Sequence, residues 1–273
     1  MDRRTFVRNT AALAAGGVIL GPTQRALAAP GEFVAVPRDL APVALPSSLV
    51  TRTLPSGRTY LVQPRAASTP GPVVFGFHGS AHDASNAEAT FWVVPGDAAA
   101  SGWSKHAALR DYTLVLGNGL SGRWNVGNGW PGGTQDDDAY ALAVVDFVLA
   151  SQPNADPAQV FAAGFSAGAA MAWRLAALYP DVFAACASFS GWAPVYPAQP
   201  IDAYRCHGTA DTTVPILGGV GGSSYNFPPL EDEFRKSPRG SRIVLHPTAG
   251  GHVTPGWAAQ RILDFWLVDR KRP

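Results

Sequence analysis

The sequence predicts an α/β domain: a mostly parallel central sheet with helices on both faces and no large cap domain. Three observations lead there. Short continuous apolar runs, rich in β-branched and aromatic residues, alternate with longer segments of helical period, which is the pattern of strands buried on both faces. Most of these runs close on glycine, as in His78-Gly79, Leu116-Gly117, Ser190-Gly191 and His207-Gly208. One run, Val160 to Phe165, enters Gly164-Phe165-Ser166-Ala167-Gly168 and leaves it into an alanine-rich helical pattern that ends near Tyr179-Pro180.

At 273 residues and 47% hydrophobic, the chain is long enough for one full core, and we read residues 51–273 as a single catalytic domain. Before it, residues 1–28 resemble a twin-arginine signal peptide: Arg3-Arg4 is followed by the apolar run Ala11 to Leu20 and by Ala26-Leu27-Ala28, a small-residue cleavage site. The apolar run is about half of the roughly 20 residues a spanning helix needs, so it reads as an export signal rather than an anchor. The expectation is therefore export by the twin-arginine machinery to the periplasm or the medium. Residues 29–50 form an extended, proline-rich lead-in. Removing the first 28 residues takes +3 from a formal net charge of +1 and leaves −2, which gives no electrostatic reason to expect nucleic acid or membrane partners.

The domain opens with a hairpin at Leu54 to Val62, turned at Ser56-Gly57, at the edge of the sheet. Pro72 to Ser80 and Tyr112 to Leu116 are buried strands, and between the second and a helix from Asp136 to Ala150 the loop Leu120 to Thr134 holds Trp124, Asn125 and Trp130 among five glycines. Asp136, Asp137 and Asp138 open that helix, where negative charge suits the unpaired amides of the first turn; consecutive carboxylates without histidine spacing are a poor metal set. Further strands follow at Phe183 to Ser190, Ala203 to His207 and Arg242 to His246. A closing helix from Trp257 to Val268 offers Trp257, Ile262, Phe265 and Trp266 for one face. The only cysteines, Cys186 and Cys206, fall in strand-like runs and read as small buried hydrophobes rather than as a bridge.

A serine between two glycines at a strand-to-helix turn is lifted above the sheet, and the amides of the following helix favour negative charge beside it. Ser166 is the candidate nucleophile. A hydroxyl needs a base, and the base needs a third group to fix its tautomer and offset its charge. Asp211, in His207-Gly208-Thr209-Ala210-Asp211, and His252, in Gly250-Gly251-His252, each follow a strand, where a parallel sheet places its site. Asp202 and Asp232 are the rival acids, less closely placed after a strand. An oxyanion would be held by the amides of Ala167 and Ser80. His78 supports the oxyanion loop, His82 is solvated and His246 is structural. No cofactor and no metal are implied.

Taken together, His78-Gly79-Ser80, Gly117-Asn118-Gly119 with Trp124-Asn125, the three aspartates, the Gly-x-Ser-x-Gly pentapeptide, His207 to Asp211 and Gly251-His252 resemble the polyhydroxybutyrate depolymerase and feruloyl esterase family of secreted α/β-hydrolases. The likeness runs from about Arg52 onward and implies the α/β-hydrolase fold and cofactor-free hydrolysis of a small or oligomeric carboxylic ester through an acyl-enzyme. A peptidase or acyltransferase on the same fold, or a non-catalytic binding domain, are the alternatives; the last should lack a triad member. Only Trp192 to Asp202 occupies the place where many lipases insert a helical cap, so the site should be open. Trp124, Trp130 and Trp192 are candidate substrate-binding residues of an aromatic groove, although such tryptophans fit a core equally well.

Overall fold

The computed structural model describes residues 33–35, 48–91 and 101–268. The signal-peptide residues 1–28, and all of the lead-in save residues 33–35 and 48–50, lie outside the described residues. In chain order the strands and helices are β1 (Phe33–Ala35), β2 (Val50–Thr53), β3 (Thr59–Gln63), β4 (Gly71–Phe77), α1 (Ala84–Thr90), α2 (Trp103–Arg110), β5 (Thr113–Gly117), α3 (Asp137–Ser151), β6 (Ala155–Phe165), α4 (Ala167–Leu178), β7 (Ala185–Phe189), β8 (Asp202–Gly208), β9 (Gly219–Val220), β10 (Asn226–Phe227), α5 (Glu231–Lys236), β11 (Arg242–Thr248), β12 (Val253–Pro255) and α6 (Ala258–Leu263).

Eight of the strands form one sheet in the order β11-β8-β7-β6-β4-β5-β3-β2. Only β3 runs against the others, pairing antiparallel with β2 and β5, while β4, β5, β6, β7, β8 and β11 pair in parallel. The hairpin at the edge turns at Gly57, whose φ of 83° suits a residue without Cβ.

Each central strand buries both faces, so consecutive residues serve two separate cores. Val73, Phe75 and Phe77 of β4 and Val160 and Ala162 of β6 join α3 and α4 on one side. Val74 of β4 and Phe161, Ala163 and Phe165 of β6 join α1, α2 and α6 on the other. This two-sided burial explains why these strands read as unbroken apolar runs. Cys186 and Cys206 are buried and free, and burial pushes both thiols up.

The closing helix is shorter than its sequence pattern. After α6 the chain widens into a π-helical turn at Asp264–Val268. Consecutive residues point about 100° apart on an α-helix, yet here Phe265 packs on Tyr204 with ring centroids 5.6 Å apart and Trp266 stacks on Phe161 at 4.7 Å. The Phe265 carbonyl accepts from Arg242 Nη2 at 3.2 Å. Trp257 packs instead on His246, at 4.8 Å.

The strand order reverses at β4, which has β5 on one side and β6 on the other. The crevice beyond the carboxyl ends of a parallel sheet at such a point is where ligands bind. There Phe77 of β4 stands opposite Gly164 of β6.

Candidate active site

Ser166 follows β6 directly with φ 56° and ψ −122°, a strained conformation for a residue with a Cβ. Two close approaches make the turn possible. A Cβ on Gly164 would lie 2.1 Å from the Gly168 carbonyl oxygen, and one on Gly168 would lie 2.3 Å from the carbonyl oxygens of both Phe77 and His78. The start of α4 is thus pressed against the end of β4. Ser166 N–H donates to the Phe189 carbonyl at 2.9 Å, tying the turn to β7. Because the neighbours of Gly168 are backbone atoms that cannot swing away, Gly168→Ala is expected to destabilise the fold by about 3 kcal/mol and to remove activity even in the folded fraction. A urea midpoint within experimental error of the parent would contradict this packing.

The structure brings Asp211 and His252 together. His252 Nδ1 donates to Asp211 Oδ2 at 2.8 Å, and Asp211 Oδ1 accepts from the amides of Thr213 and Val214, both at 2.9 Å. Burial works against the Asp211 charge, but hydrogen bonds from His207 and His252 and the backbone hold its carboxyl well below the usual carboxylate range. The rival acids serve elsewhere: Asp202 faces Arg242 at 3.8 Å, and Asp232 pairs with Lys236 at 2.8 Å.

His252 sits beside the serine turn. Its ring centroid is 4.8 Å from that of Phe165, the residue before Ser166. Ser190, which follows the Phe189 that anchors Ser166, donates from Oγ to the Val253 carbonyl at 3.0 Å. Among the described residues Ser166 and His252 form no hydrogen bond in this conformation. Such bonds are commonly long without substrate and tighten on binding. Neither Phe165 nor Ser190 is singled out by the sequence, since an apolar strand end and a serine after a strand carry no chemical signature.

His78 braces the loop after β4, the candidate oxyanion loop, from within. Its Nδ1–H donates to the Gly79 carbonyl at 2.7 Å, its Nε2 accepts from the Gly119 amide at 3.0 Å, and its own carbonyl accepts from Trp124 Nε1 at 2.9 Å. Burial lowers the His78 pKa to about 4, so the imidazole stays neutral and keeps both bonds. The next turn exposes Ser80. The amides of Ser80 and Ala167 donate no hydrogen bond among the described residues, which leaves both free for an oxyanion.

Two of the tryptophans are corrected. Trp124 is fully buried, stacked edge-on against Phe77 and tied to His78, so it holds the oxyanion loop rather than lining an open groove. Trp192 is 2% exposed beneath Trp130, Tyr225 and Phe227, with ring centroids 4.6, 5.8 and 5.0 Å away. Trp130 alone of the three is half-buried. Asp136 caps α3 through the Ala139 amide, Asp137 pairs with Arg58 at 2.7 Å, and Asp138 pairs with Arg174 at 2.7 Å, so the three carboxylates serve the fold. His82 is half-buried and lines, with Ala81, Asp83 and Ser121, a cleft of ≈510 Å³ next to the oxyanion loop. His246 lies in β11, its Nδ1 bonded to Tyr204 at 2.9 Å.

Residues 119–216 match the model of the family described as esterase PHB depolymerase. NocK of Nocardia uniformis subsp. tsuyamanensis, named as an esterase, is 37% identical over 42% of this chain and 37% of its own length. Poly(3-hydroxyalkanoate) depolymerase C of Paucimonas lemoignei is 30% identical over 58% of this chain and 37% of its own. The chain thus spans little more than a third of either curated relative. Among solved structures, acetyl xylan esterase from Aspergillus awamori superposes with a TM-score of 0.58 at 16% identity, covering 81% of this chain and 99% of that one, a likeness of fold. The chain has the α/β-hydrolase fold, and within it residues 119–216 are similar to the esterase PHB depolymerase family.

Proposed function

We propose that the protein is a serine carboxylic ester hydrolase working through an acyl-enzyme on short-chain, aryl or hydroxyalkanoate esters. The observation that carries this reading is the Asp211–His252 hydrogen bond set beside the strained Ser166 turn, after the ends of three strands of one sheet. In this mechanism Ser166 Oγ attacks the ester carbonyl and His252 Nε2 takes its proton. The carbonyl oxygen, now negative, is met by the Ser80 and Ala167 amides; each such donor is typically worth about 3 kcal/mol in the transition state. His252 returns the proton to the leaving alcohol, and a water then repeats the sequence on the acyl-enzyme. An arrangement of this kind needs no cofactor.

The substrate class rests on the family match and on shape. Segment 190–201, between β7 and β8, is too short for a helical cap, and the half-buried Trp130 packs on Trp192, Tyr225 and Phe227 as an aromatic wall of mutually inclined rings. Such a wall suits an aryl or short acyl group, whereas a long chain needs a tunnel to bury its methylenes at about 0.8 kcal/mol each. Export through the twin-arginine signal of residues 1–28 belongs to the same proposal, as does a single catalytic domain over 51–273. Measuring kcat/KM on p-nitrophenyl esters from acetate to palmitate, with a methyl hydroxycinnamate and a hydroxybutyrate oligomer alongside, tests the reading. A maximum at short or aryl acyl groups, lowered by Trp130→Ala, is expected; a continuous rise to palmitate would contradict it.

A further inference from the structure

The acid of the triad is held from behind by a second histidine. His207 is the next-to-last residue of β8, 1% exposed, and its Nε2 lies 2.8 Å from the Val214 carbonyl oxygen and 3.3 Å from Asp211 Oδ2. A carbonyl oxygen can only accept, so Nε2 carries the proton and shares it between the two oxygens. Nδ1 is then the bare ring nitrogen, and it is buried without a hydrogen-bond partner. Burial lowers the His207 pKa and outweighs the attraction of Asp211, so the ring remains a neutral donor. It cannot stand in for the base, because the one nitrogen facing the site already bears its proton.

The consequence is a carboxylate with every direction taken. Oδ1 receives the Thr213 and Val214 amides; Oδ2 receives His252 from the open side and His207 from the core. Without His207 nothing on the core side fixes the tilt of Oδ2, and its unshared charge binds the imidazolium of His252 more tightly. The charged groups facing His207 are Asp211 itself and Arg205, and the latter is neutralised by Glu233 of α5 at 2.7 Å. We propose that His207 is a positioning residue that acts through Asp211, aiming Oδ2 at His252 Nδ1 so that the imidazole keeps the orientation and tautomer a base needs. This rests on the triad reading above.

The test is His207→Leu in the full-length chain, assayed alone and combined with Asp211→Asn, with His207→Gln as the variant that restores a donor near the Nε2 position. Losing a hydrogen bond to a charged group should lower kcat roughly ten- to a hundredfold with KM little changed. The acidic limb of kcat/KM should move to higher pH by about half a unit. His207→Gln should recover most of the loss, and in the Asp211→Asn background His207→Leu should cost nothing more. An unchanged kcat, an unmoved limb, or an equal loss in both backgrounds would overturn the proposal, the last by placing the effect on the Val214 loop alone. Should His207→Leu fail to fold, His207→Gln against His207→Asn decides: equal activities contradict the proposal, because the shorter amide cannot reach Oδ2. Full activity in Asp211→Asn alone would remove the triad reading itself, a separate failure.

Discussion

Ser166→Ala is expected to lower kcat/KM on a p-nitrophenyl ester by on the order of 10⁴- to 10⁶-fold while leaving the fold intact. The structural cost is small because Ser166 Oγ makes no hydrogen bond among the described residues and the backbone strain at φ 56° is the same for alanine. The bonds that hold the turn run through its main chain: Ser166 N–H to Phe189, and the amides of Ala169 and Ala170 to the Ser166 carbonyl. Stability should therefore stay within about 0.5 kcal/mol of the parent. The catalytic cost is large because the substitution removes the proposed nucleophile itself, which no group supplied by alanine can replace. Purified Ser166→Ala with a rate within about tenfold of the parent would show that another residue is the nucleophile.

Asp211→Asn should cost on the order of 10⁴ in kcat with substrate binding preserved. Asp211 receives four donors, so an amide brings its own N–H groups against donors wherever it turns. The arrangement that keeps the loop amides satisfied presents Nδ2 to His252, forcing the imidazole to accept at Nδ1 and to carry its proton on Nε2, where it can no longer take one from Ser166. The pH profile gives a second reading of the same residue. The Asp211 carboxyl is held well below the usual range, so its charge is present throughout neutral and mildly acid pH and is lost only as pH falls through that lowered value. The parent enzyme should then show a single ionisation on its acidic limb, that of the imidazole. Near-normal kcat in Asp211→Asn, or two ionisations between pH 4 and 7, would contradict the assignment.

Residues whose position follows from chain order after a strand are legible in the sequence. Ser166, Asp211 and His252 each stand just past an apolar run, and a parallel sheet gathers such positions at one edge. The same logic proposes Ser80 and Ala167 as oxyanion donors, because such a site draws on the loop after β4 and the first amide of the helix after the serine. The edge hairpin was legible from Ser56-Gly57, and the free cysteines from the strands that hold them. The sequence leaves Trp124 open between groove and core for a physical reason: a glycine-rich loop gives no period, so nothing in it tells which ring folds inward to reach the His78 carbonyl. Trp192 is hidden by Tyr225 and Phe227, which arrive from the distant β9–β10 hairpin. His207 lay inside a motif read for its aspartate, and its contact with Asp211 depends on how the loop curls back over β8. The π-helical turn after α6 arose from tertiary demands, two adjacent aromatic rings both needing cover, that helical periodicity does not encode.

The central claim is a covalent acyl-enzyme at Ser166, and the most direct measurement is the intact mass of the protein during turnover of an activated ester that deacylates slowly, followed by peptide mapping. The account predicts a mass gain of one acyl group, equal in amount to the burst of released alcohol, mapped to the peptide containing Ser166 and lost in Ser166→Ala. Steady hydrolysis with no adduct on rapid quenching, or an adduct on a different residue, would contradict it.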